Sequence, residues 1–324
     1  MKFVFIGDIH MSRETESRRN AYLDTLDKME WLATETLRRW HGAVLVITGD
    51  IFDNLNQYLP ATALTRLAEI LQRFQRVYYI MGNHDWHRSA GYAAEDEMPA
   101  VLERMAGNIR RLDDGSEVFD EESGFHIIAR PWRKEFDLRE SAALECPDGY
   151  DTAHTLILCH AYLLPKAQNP LGQYNSVESL KRPAAFYIVG HYHGQLGMLM
   201  FKAPTEDRMF RVLVPGSLTR IRVDETHNPK AYFVELSKGG IIQSEAVDIP
   251  CRPHAEVFVD RTDTKAIQNI RDEISGFVSQ LQVSREPMTK DGFLAAFRVK
   301  AEEGVPEDRR AAVFGFMDGV ISNL

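Results

Sequence analysis

Seven side chains between positions 8 and 193 have the types and local spacing of a metal-binding set. They fall in five short blocks: Gly7-Asp8-Ile9-His10, Gly49-Asp50-Ile51-Phe52-Asp53, Gly82-Asn83-His84-Asp85, His160, and Gly190-His191-Tyr192-His193. Asp8 and His10 are two positions apart, as are His191 and His193, so in an extended segment each pair points to one side. Asp8, Asp50, Asn83, His10, His160, His191 and His193 together offer two carboxylates, one amide oxygen and four imidazoles. That mixed set suits manganese, iron or zinc better than calcium or magnesium, and it lacks the thiolates of a structural zinc site. Any one of these residues alone reads as a cap, a turn residue or a satisfied core group. Five blocks in this order, each behind an apolar run, read as one site.

The elements that must position them follow from the apolar runs. Strand-like stretches at Lys2–Ile6, 43–48 and 77–81 each stop at a glycine, where the backbone turns sharply and approaches a ligand closely. Sites in open α/β sheets assemble at such carboxyl ends. Between these strands, Tyr22, Leu26, Met29, Ala33 and Trp40 recur at helical spacing, and 61–74 reads as a second helix. Strands alternating with helices predict a largely parallel sheet. From about position 116 the pattern becomes strand-rich, with runs at 125–129, 155–159, 186–189, 211–214, 231–236 and 241–249. The expected fold is α/β, a four-layer α-β-β-α sandwich of two packed mixed sheets with helices outside both. Pro250 to Pro253 marks a boundary between a domain at 1–250 and a small α/β capping domain at 251–324. The latter reads as strand 255–259, helix 264–281, strand 293–299 and helix 307–321, a unit at the margin of independent stability.

The bulk properties are those of an ordinary globular protein, with 324 residues, 44% hydrophobic and 26% charged. No apolar run approaches the ~20 residues that cross a bilayer. The first ten residues are too short and too charged at their end for a signal peptide, so a cytoplasmic protein with no membrane partner is expected. Three cysteines without CxxC spacing exclude a disulfide framework and a cysteine zinc site. A formal charge of −9 means that any grip on DNA must come from local basic patches, from metals or from a partner.

The five blocks resemble the signature of the calcineurin-like metallophosphoesterase superfamily, GDxH, GDxxD, GNHD, a further histidine and GHxH. The resemblance implies two divalent metal ions, Mn2+ foremost with Fe2+ or Zn2+ as alternatives. Asp8, His10, Asp50 and His193 would hold the first, and Asp50, Asn83, His160 and His191 the second, with Asp50 bridging. His84 neighbours a ligand without being one and would protonate the leaving alkoxide. Asp85, by the same analogy, would orient and charge the His84 ring, while Asp53 is either an outer partner of the site or a turn carboxylate.

Flanking sequence resembles the SbcD-type DNA repair exonucleases, prokaryotic relatives of the meiotic-recombination-eleven nuclease. The relevant stretches are Thr-Gly-Asp-Ile-Phe-Asp at 48–53, Val-Pro-Gly-Ser-Leu-Thr-Arg at 214–220 and Lys-Ala-Tyr-Phe-Val-Glu-Leu at 230–236. This resemblance implies a 3′→5′ exonuclease with companion single-strand endonuclease activity in DNA repair and recombination. Its substrates would be DNA ends or single strands, its partner an SbcC-like SMC-type ATPase, and its assembly a homodimer. The chain is shorter than cellular members and shows no long C-terminal helical hairpin, so it reads either as a compact version such as phages carry or as one that docks its partner differently. Arg18, Arg19, Arg130, Arg133, Lys134, Arg220 and Arg222 are either phosphate contacts or solvated surface cations. Trp86 and His87 either line the substrate entrance, where Trp86 would stack on a base, or pack normally. The rival reading is a phosphodiesterase of a small nucleotide or other metabolite, with the C-terminal unit as a lid.

Overall fold

Period-two burial along the central strands divides their side chains between two cores, and that division sets the layers. A computed structural model of the chain describes residues 1–15, 18–53, 59–85, 98–133, 141–169, 174–223 and 225–258. The chain separates into two compact units, Met1–Val259 and Asp260–Leu324. The second unit, with the expected segments 264–281, 293–299 and 307–321, lies outside the described residues.

The first half runs β1 (Lys2–Ile6), α1 (Ala21–Arg39), β2 (Val44–Ile47), α2 (Ala61–Leu71), β3 (Arg76–Tyr79), α3 (Met98–Ala106) and β4 (Ile109–Arg111). There follow β5 (Glu117–Asp120), β6 (Phe125–Arg130), β7 (Thr155–His160), β8 (Leu163–Leu164), β9 (Asn175–Ser176) and β10 (Phe186–Gly190). The described chain closes with β11 (Gly197–Lys202), β12 (Met209–Val214), β13 (Lys230–Ser237), β14 (Gly240–Asp248) and α4 (His254–Val257). One six-stranded sheet has the order β14-β13-β1-β2-β3-β4, and the other β11-β12-β10-β7-β6-β5. β1 to β4 are mutually parallel, with β13 antiparallel to β1. β12, β10, β7 and β6 are likewise parallel, flanked by antiparallel β11 and β5. Both sheets are therefore mixed, as expected.

Val4, Ile6, Leu45, Ile47, Val77 and Tyr79 face α1 to α3, where Leu26, Met29, Leu32, Leu67, Leu71 and Leu102 cover them. The alternate residues Phe3, Phe5, Val44 and Val46 meet Leu156, Leu158, Phe186 and Ile188 between the sheets. Each such fully buried large side chain stabilises the sandwich by roughly 1.5–3 kcal/mol, so the strand ends are held on a stiff platform. The outer face of the second sheet packs Ile157, Cys159, Tyr187 and Val189 against Leu144, Leu163, Val177 and Leu180. Among the described residues that fourth layer consists of 3₁₀ turns such as 141–144 and 177–179 and irregular chain, without an α-helix.

Four elements differ from the expectations. The segment expected as strand 255–259 is the short helix α4, followed by a β-bridge between Phe258 and Arg18. β11 was hidden because Gly-Met-Leu-Met-Phe-Lys carries no polar alternation, although Met200 is exposed. β4 and β5 are short edge strands of three and four residues, below the length at which a period is readable.

Candidate metal centre

The carboxyl ends of β1, β2 and β3 in one sheet meet those of β7, β10 and β12 in the other. Asp8 follows β1 and accepts from the hydroxyl of Thr48 at Oδ1 (3.1 Å) and from the backbone N–H of His191 at Oδ2 (3.0 Å). Asp50 follows β2 and accepts from the backbone N–H of His84 at Oδ1, 2.8 Å. His160 ends β7, and its ring is fixed by a 2.8 Å bond from Nδ1 to the carbonyl of Thr48. The turn after β12 is stitched to both groups: Leu218 N–H donates to Asp8 O and Ser217 N–H to His193 O. The Pro-Gly-Ser segment is thus part of the scaffold behind two of the ligands.

The backbone is strained where the ligands stand. Among the described residues four non-glycine residues have left-handed φ, and three of them are His10 (46°), Asp50 (45°) and His191 (82°). Each such conformation costs on the order of 1–2 kcal/mol and persists because the surrounding hydrogen bonds over-determine it. Gly82 shows how tight the packing is. A Cβ there would lie 2.0 Å from Oδ1 of Asp50, so only glycine lets the third block pass beside that carboxylate.

Two groups of ligand atoms converge, Asp8–His10–His193 and Asp50–His160–His191, each with its atoms within 4.8 Å of one another. Oδ2 of Asp50 stands between them, 3.7 Å from His10 Nε2 and 3.4 Å from His160 Nε2. Asn83 joins the second group, with Oδ1 3.1 Å from His160 Nε2. The seven expected residues are therefore brought together, and the donor set tests well for cations. The Thr48 carbonyl can only accept, so His160 carries its proton on Nδ1 and turns the Nε2 lone pair toward two oxygens. Nε2 of His10 and Nε2 of His193 face each other at 3.0 Å. His10, His160, Asp8 and Asp50 are all essentially buried. Such a crowd of buried acceptors is satisfied by positive charge at its centre, and these residues fit two divalent ions.

Without ions the same demand for positive charge falls on a proton, which an ion would displace from His160 Nε2. Burial pulls the His160 imidazole down, but Asp50 and Asp8 outweigh it and hold it up at about 9. Burial likewise works against the Asp50 carboxylate, and His160, His10 and His84 nevertheless hold it well below the usual range. His191 is pushed well down by burial and by His160. Its ring lies 4.0 Å from that of Tyr162, which stacks in turn on Tyr174 at 4.1 Å.

His84 lies at the exposed edge of the centre with its side chain 38% accessible. Its ring meets His10 edge-on at 4.9 Å. Its Nδ1 donates to the carbonyl of Asp53, and the Asp53 carboxylate stands 3.8 Å away. The expected Asp85 contact to this ring is not made. Asp85 is fully buried and instead accepts from the backbone N–H groups of Gly82 (3.0 Å), Ile51 (3.2 Å) and Phe52 (3.2 Å). Residues 82–85 form a turn closed by the Asp85 N–H on the Gly82 carbonyl, and from it Asp85 ties the second and third blocks together while Asp53 reaches the catalytic-histidine candidate. Burial and the Asp50 charge push Asp85 up to about 7, opposed by those backbone donors.

The expected phosphate contacts are placed differently. Arg18 is only 8% exposed, with Nη1 3.8 Å from Asp53 Oδ2. Arg220 is 4% exposed and donates from Nη2 to the Arg252 carbonyl. Arg130 donates to the carbonyls of Ala143 and Ala129, and Arg133 pairs with Asp114. Arg19 and Arg222 are exposed. Trp86, His87 and Lys134 lie outside the described residues. Sequence reasoning missed Thr48, whose hydroxyl and carbonyl hold Asp8 and His160, and Glu225, whose Oε1 lies 3.5 Å from His193 Nδ1. Neither had a signal beyond its position next to a block or a turn.

Residues 1–195 match the family model described as calcineurin-like phosphoesterase, a span that contains all five blocks. Among solved structures, the chain is similar to a 5′-nucleotidase precursor from Thermus thermophilus, at 14% identity and TM-score 0.44, covering 85% of this chain and 59% of that one. It is also similar to the NAD nucleotidase of Haemophilus influenzae (13%, TM-score 0.44, 93% of this chain and 60% of that one). A hypothetical protein from Thermus thermophilus shows 13% identity and TM-score 0.41 over 77% of this chain and 100% of its own. This chain thus spans about three fifths of the length of the first two. No curated protein matches it.

Proposed function

This chain belongs to the calcineurin-like phosphoesterase family and is a metal-dependent phosphoester hydrolase, and from that premise we propose that it cleaves the phosphodiester at a DNA strand end. The observation that supports phosphoester hydrolysis is the closure of seven candidate ligand side chains on one centre with His84 at its open edge. Support for DNA as substrate comes from the resemblance of 48–53, 214–220 and 230–236 to the SbcD-type exonucleases.

Asp8, His10, Asp50, Asn83, His160, His191 and His193 would hold two divalent cations, which when bound would supply positive charge to the phosphoryl oxygens and lower the pKa of a water toward neutral pH. The protein's own groups do the rest. His84 keeps its Nδ1 proton on the Asp53 carbonyl, so Nε2 is the atom that delivers a proton to the leaving oxygen. The Asp53 carboxylate stands 3.8 Å from Nδ1 of the same ring. The edge of His10 limits the swing of His84, and Asp85 holds the backbone on which His84 rides. Attack in line with the departing alkoxide releases nucleoside 5′-monophosphates in the 3′→5′ direction, with nicking of single strands as a companion activity. An SMC-type ATPase of the SbcC kind would feed duplex ends to this centre, and the chain would act as a homodimer in DNA repair.

A second reading, hydrolysis of a small nucleotide or other metabolite diester, is favoured by the internal pairing of Arg18, Arg130, Arg133 and Arg220 and by the net charge of −9. The test is a manganese-supplemented assay of an end-labelled DNA strand, a cyclic dinucleotide and a model aryl diester, each with wild type and His84→Asn. Release of mononucleotides from DNA, lost in His84→Asn while both ions stay bound, is the expected result. Turnover of the small diesters alone would overturn the nuclease reading.

A further inference from the structure

We propose that Glu225 is a positioning residue of the first metal site, holding the His193 ring so that Nε2 faces Asp8 and His10, with Arg18 backing the equivalent carboxylate Asp53 behind His10. This inference rests on the two-metal reading of the centre and deepens it. The two imidazoles have matching surroundings. His193 turns Nε2 inward, 3.0 Å from His10 Nε2, and its Nδ1 lies 3.5 Å from Glu225 Oε1. His10 also turns Nε2 inward, and its Nδ1 lies 3.5 Å from Asp53 Oδ1. A carboxylate beside the outer nitrogen of an imidazole fixes the orientation of a ring that presents its other nitrogen inward.

Glu225 is itself held in place. Its Oε2 accepts from the backbone N–H groups of Ile221 (2.6 Å) and Arg222 (3.2 Å), which leaves Oε1 directed at His193. Arg18 is buried, and Asp53, Glu225 and Asp24 are the negative charges that sustain it there. Nη1 of Arg18 is 3.8 Å from Asp53 Oδ2. The guanidinium is therefore a buried counter-charge to Asp53, the carboxylate behind His10.

The loops that carry these groups are fastened by the segment at 251–258. Arg19 N–H donates to Val257 O at 2.7 Å and Asn20 Nδ2 to Glu256 O at 3.3 Å, while His254 Nε2 meets Val223 O at 2.6 Å. Arg18 forms a β-bridge with Phe258. Both loops thus share one strap, which keeps Arg18 and Glu225 in register with the centre.

The competing account is that Glu225 only caps the turn at 221–222. Glu225→Gln separates the two, because an amide oxygen still caps the turn while its NH2 group cannot accept from His193. The full-length wild type, Glu225→Gln and Arg18→Gln are titrated with Mn2+, following bound ion and the exchange-coupled two-manganese EPR signal, with melting of the metal-free proteins in parallel. Wild type is expected to bind two ions. Glu225→Gln is expected to weaken one ion by about 10–100-fold, lose the coupled signal, keep the other ion, and melt as wild type does without metal. Arg18→Gln should weaken the same ion by a smaller factor, and it carries the test if Glu225→Gln does not fold. Wild-type affinity for both ions in Glu225→Gln, or equal weakening of both with a lowered metal-free melting point, would overturn the proposal. For Arg18→Gln, unchanged affinity would do the same. A wild type that binds fewer than two ions would instead overturn the two-metal reading on which it rests.

Discussion

Gly82→Ala tests the geometry of the centre without touching a ligand. The added Cβ would sit 2.0 Å from Oδ1 of Asp50 and 2.5 Å from both its Cγ and its backbone nitrogen. Ordinary contacts need about 3.5 Å, so the carboxylate must retreat by about 1–1.5 Å or the third block must move outward with Asn83 and His84. Oδ2 of Asp50 stands between His10 and His160 at 3.7 and 3.4 Å, so either movement disturbs both ligand groups at once. A misplacement of about 1 Å costs on the order of 100-fold in rate, equivalent to about 2.7 kcal/mol at the transition state. The assay is kcat/KM on a model diester beside metal stoichiometry. Gly107→Ala serves as a control, because that left-handed glycine has nothing within 4 Å of an added Cβ. The control should lose about 1 kcal/mol of stability from backbone strain and keep its turnover. A Gly82→Ala protein that holds two ions and turns over within about threefold of wild type would refute the reasoning.

Asp85→Asn replaces an acceptor of three backbone N–H groups by a side chain that must present an NH2 to at least one of them. Denaturant unfolding should show a loss of about 2 kcal/mol, with turnover reduced because the second and third blocks are no longer tied. Lys28 and Asp24 form a buried pair at 2.6 Å inside α1. Lys28→Met should cost about 3–5 kcal/mol in urea unfolding, whereas adding Asp24→Asn should restore part of that loss, since the uncompensated charge is what costs. His154 is raised above its ordinary value by Asp151 and by the Lys238 carbonyl. A histidine raised on folding adds stability that is fully present below its unfolded value of about 6.5 and is lost as pH rises through the higher folded value. His154→Gln should therefore lower the melting point at pH 5.5 and leave it unchanged at pH 9, an effect kept small by solvent screening.

The fold was legible wherever a strand carried a full period between punctuating glycines. β1, β2, β7 and β10 are continuous apolar runs because parallel strands buried on both faces show no alternation, and each delivers a ligand at its end. The ligand groups were legible for the same reason, since two-residue spacing and strand ends suffice to converge them. The surroundings of the ligands were not. Asp53 and His84 are thirty-one positions apart, and only the tertiary approach of the second and third blocks lets the Asp53 carbonyl receive the ring. Family resemblance suggested Asp85 for that task, but its carboxylate is taken up by the backbone N–H groups of Gly82, Ile51 and Phe52. Glu225 lies beyond the matched span of 1–195, in a turn with no repeating pattern, so nothing in its neighbourhood distinguishes it from a solvated glutamate. The arginines illustrate the converse. Arg18 and Arg220 read as surface cations by type, yet the segment at 251–258 covers them through Phe258 and the Arg252 carbonyl.

That burial bears on how a phosphate chain can be held. A protein that tracks a DNA backbone by lysine and arginine needs those cations free to replace counterions. Here Arg130 and Arg133 face Asp114, Arg18 faces Asp53, and Arg220 is turned into the protein. Charge for the scissile phosphate must then arise mainly at the centre itself, where Asp8 and Asp50 alone are ionised oxygens among seven ligands. Two divalent ions bring four positive charges against those two carboxylates, so the occupied centre is net cationic within an acidic molecule. The outer carboxylates Asp53 and Glu225 would cancel those two excess charges if they stood alone, and the buried Arg18 beside Asp53 restores one of them. The same guanidinium that fails as a surface phosphate contact thereby helps to keep the metal centre attractive to an anionic substrate, whether that substrate is a strand end or a small diester.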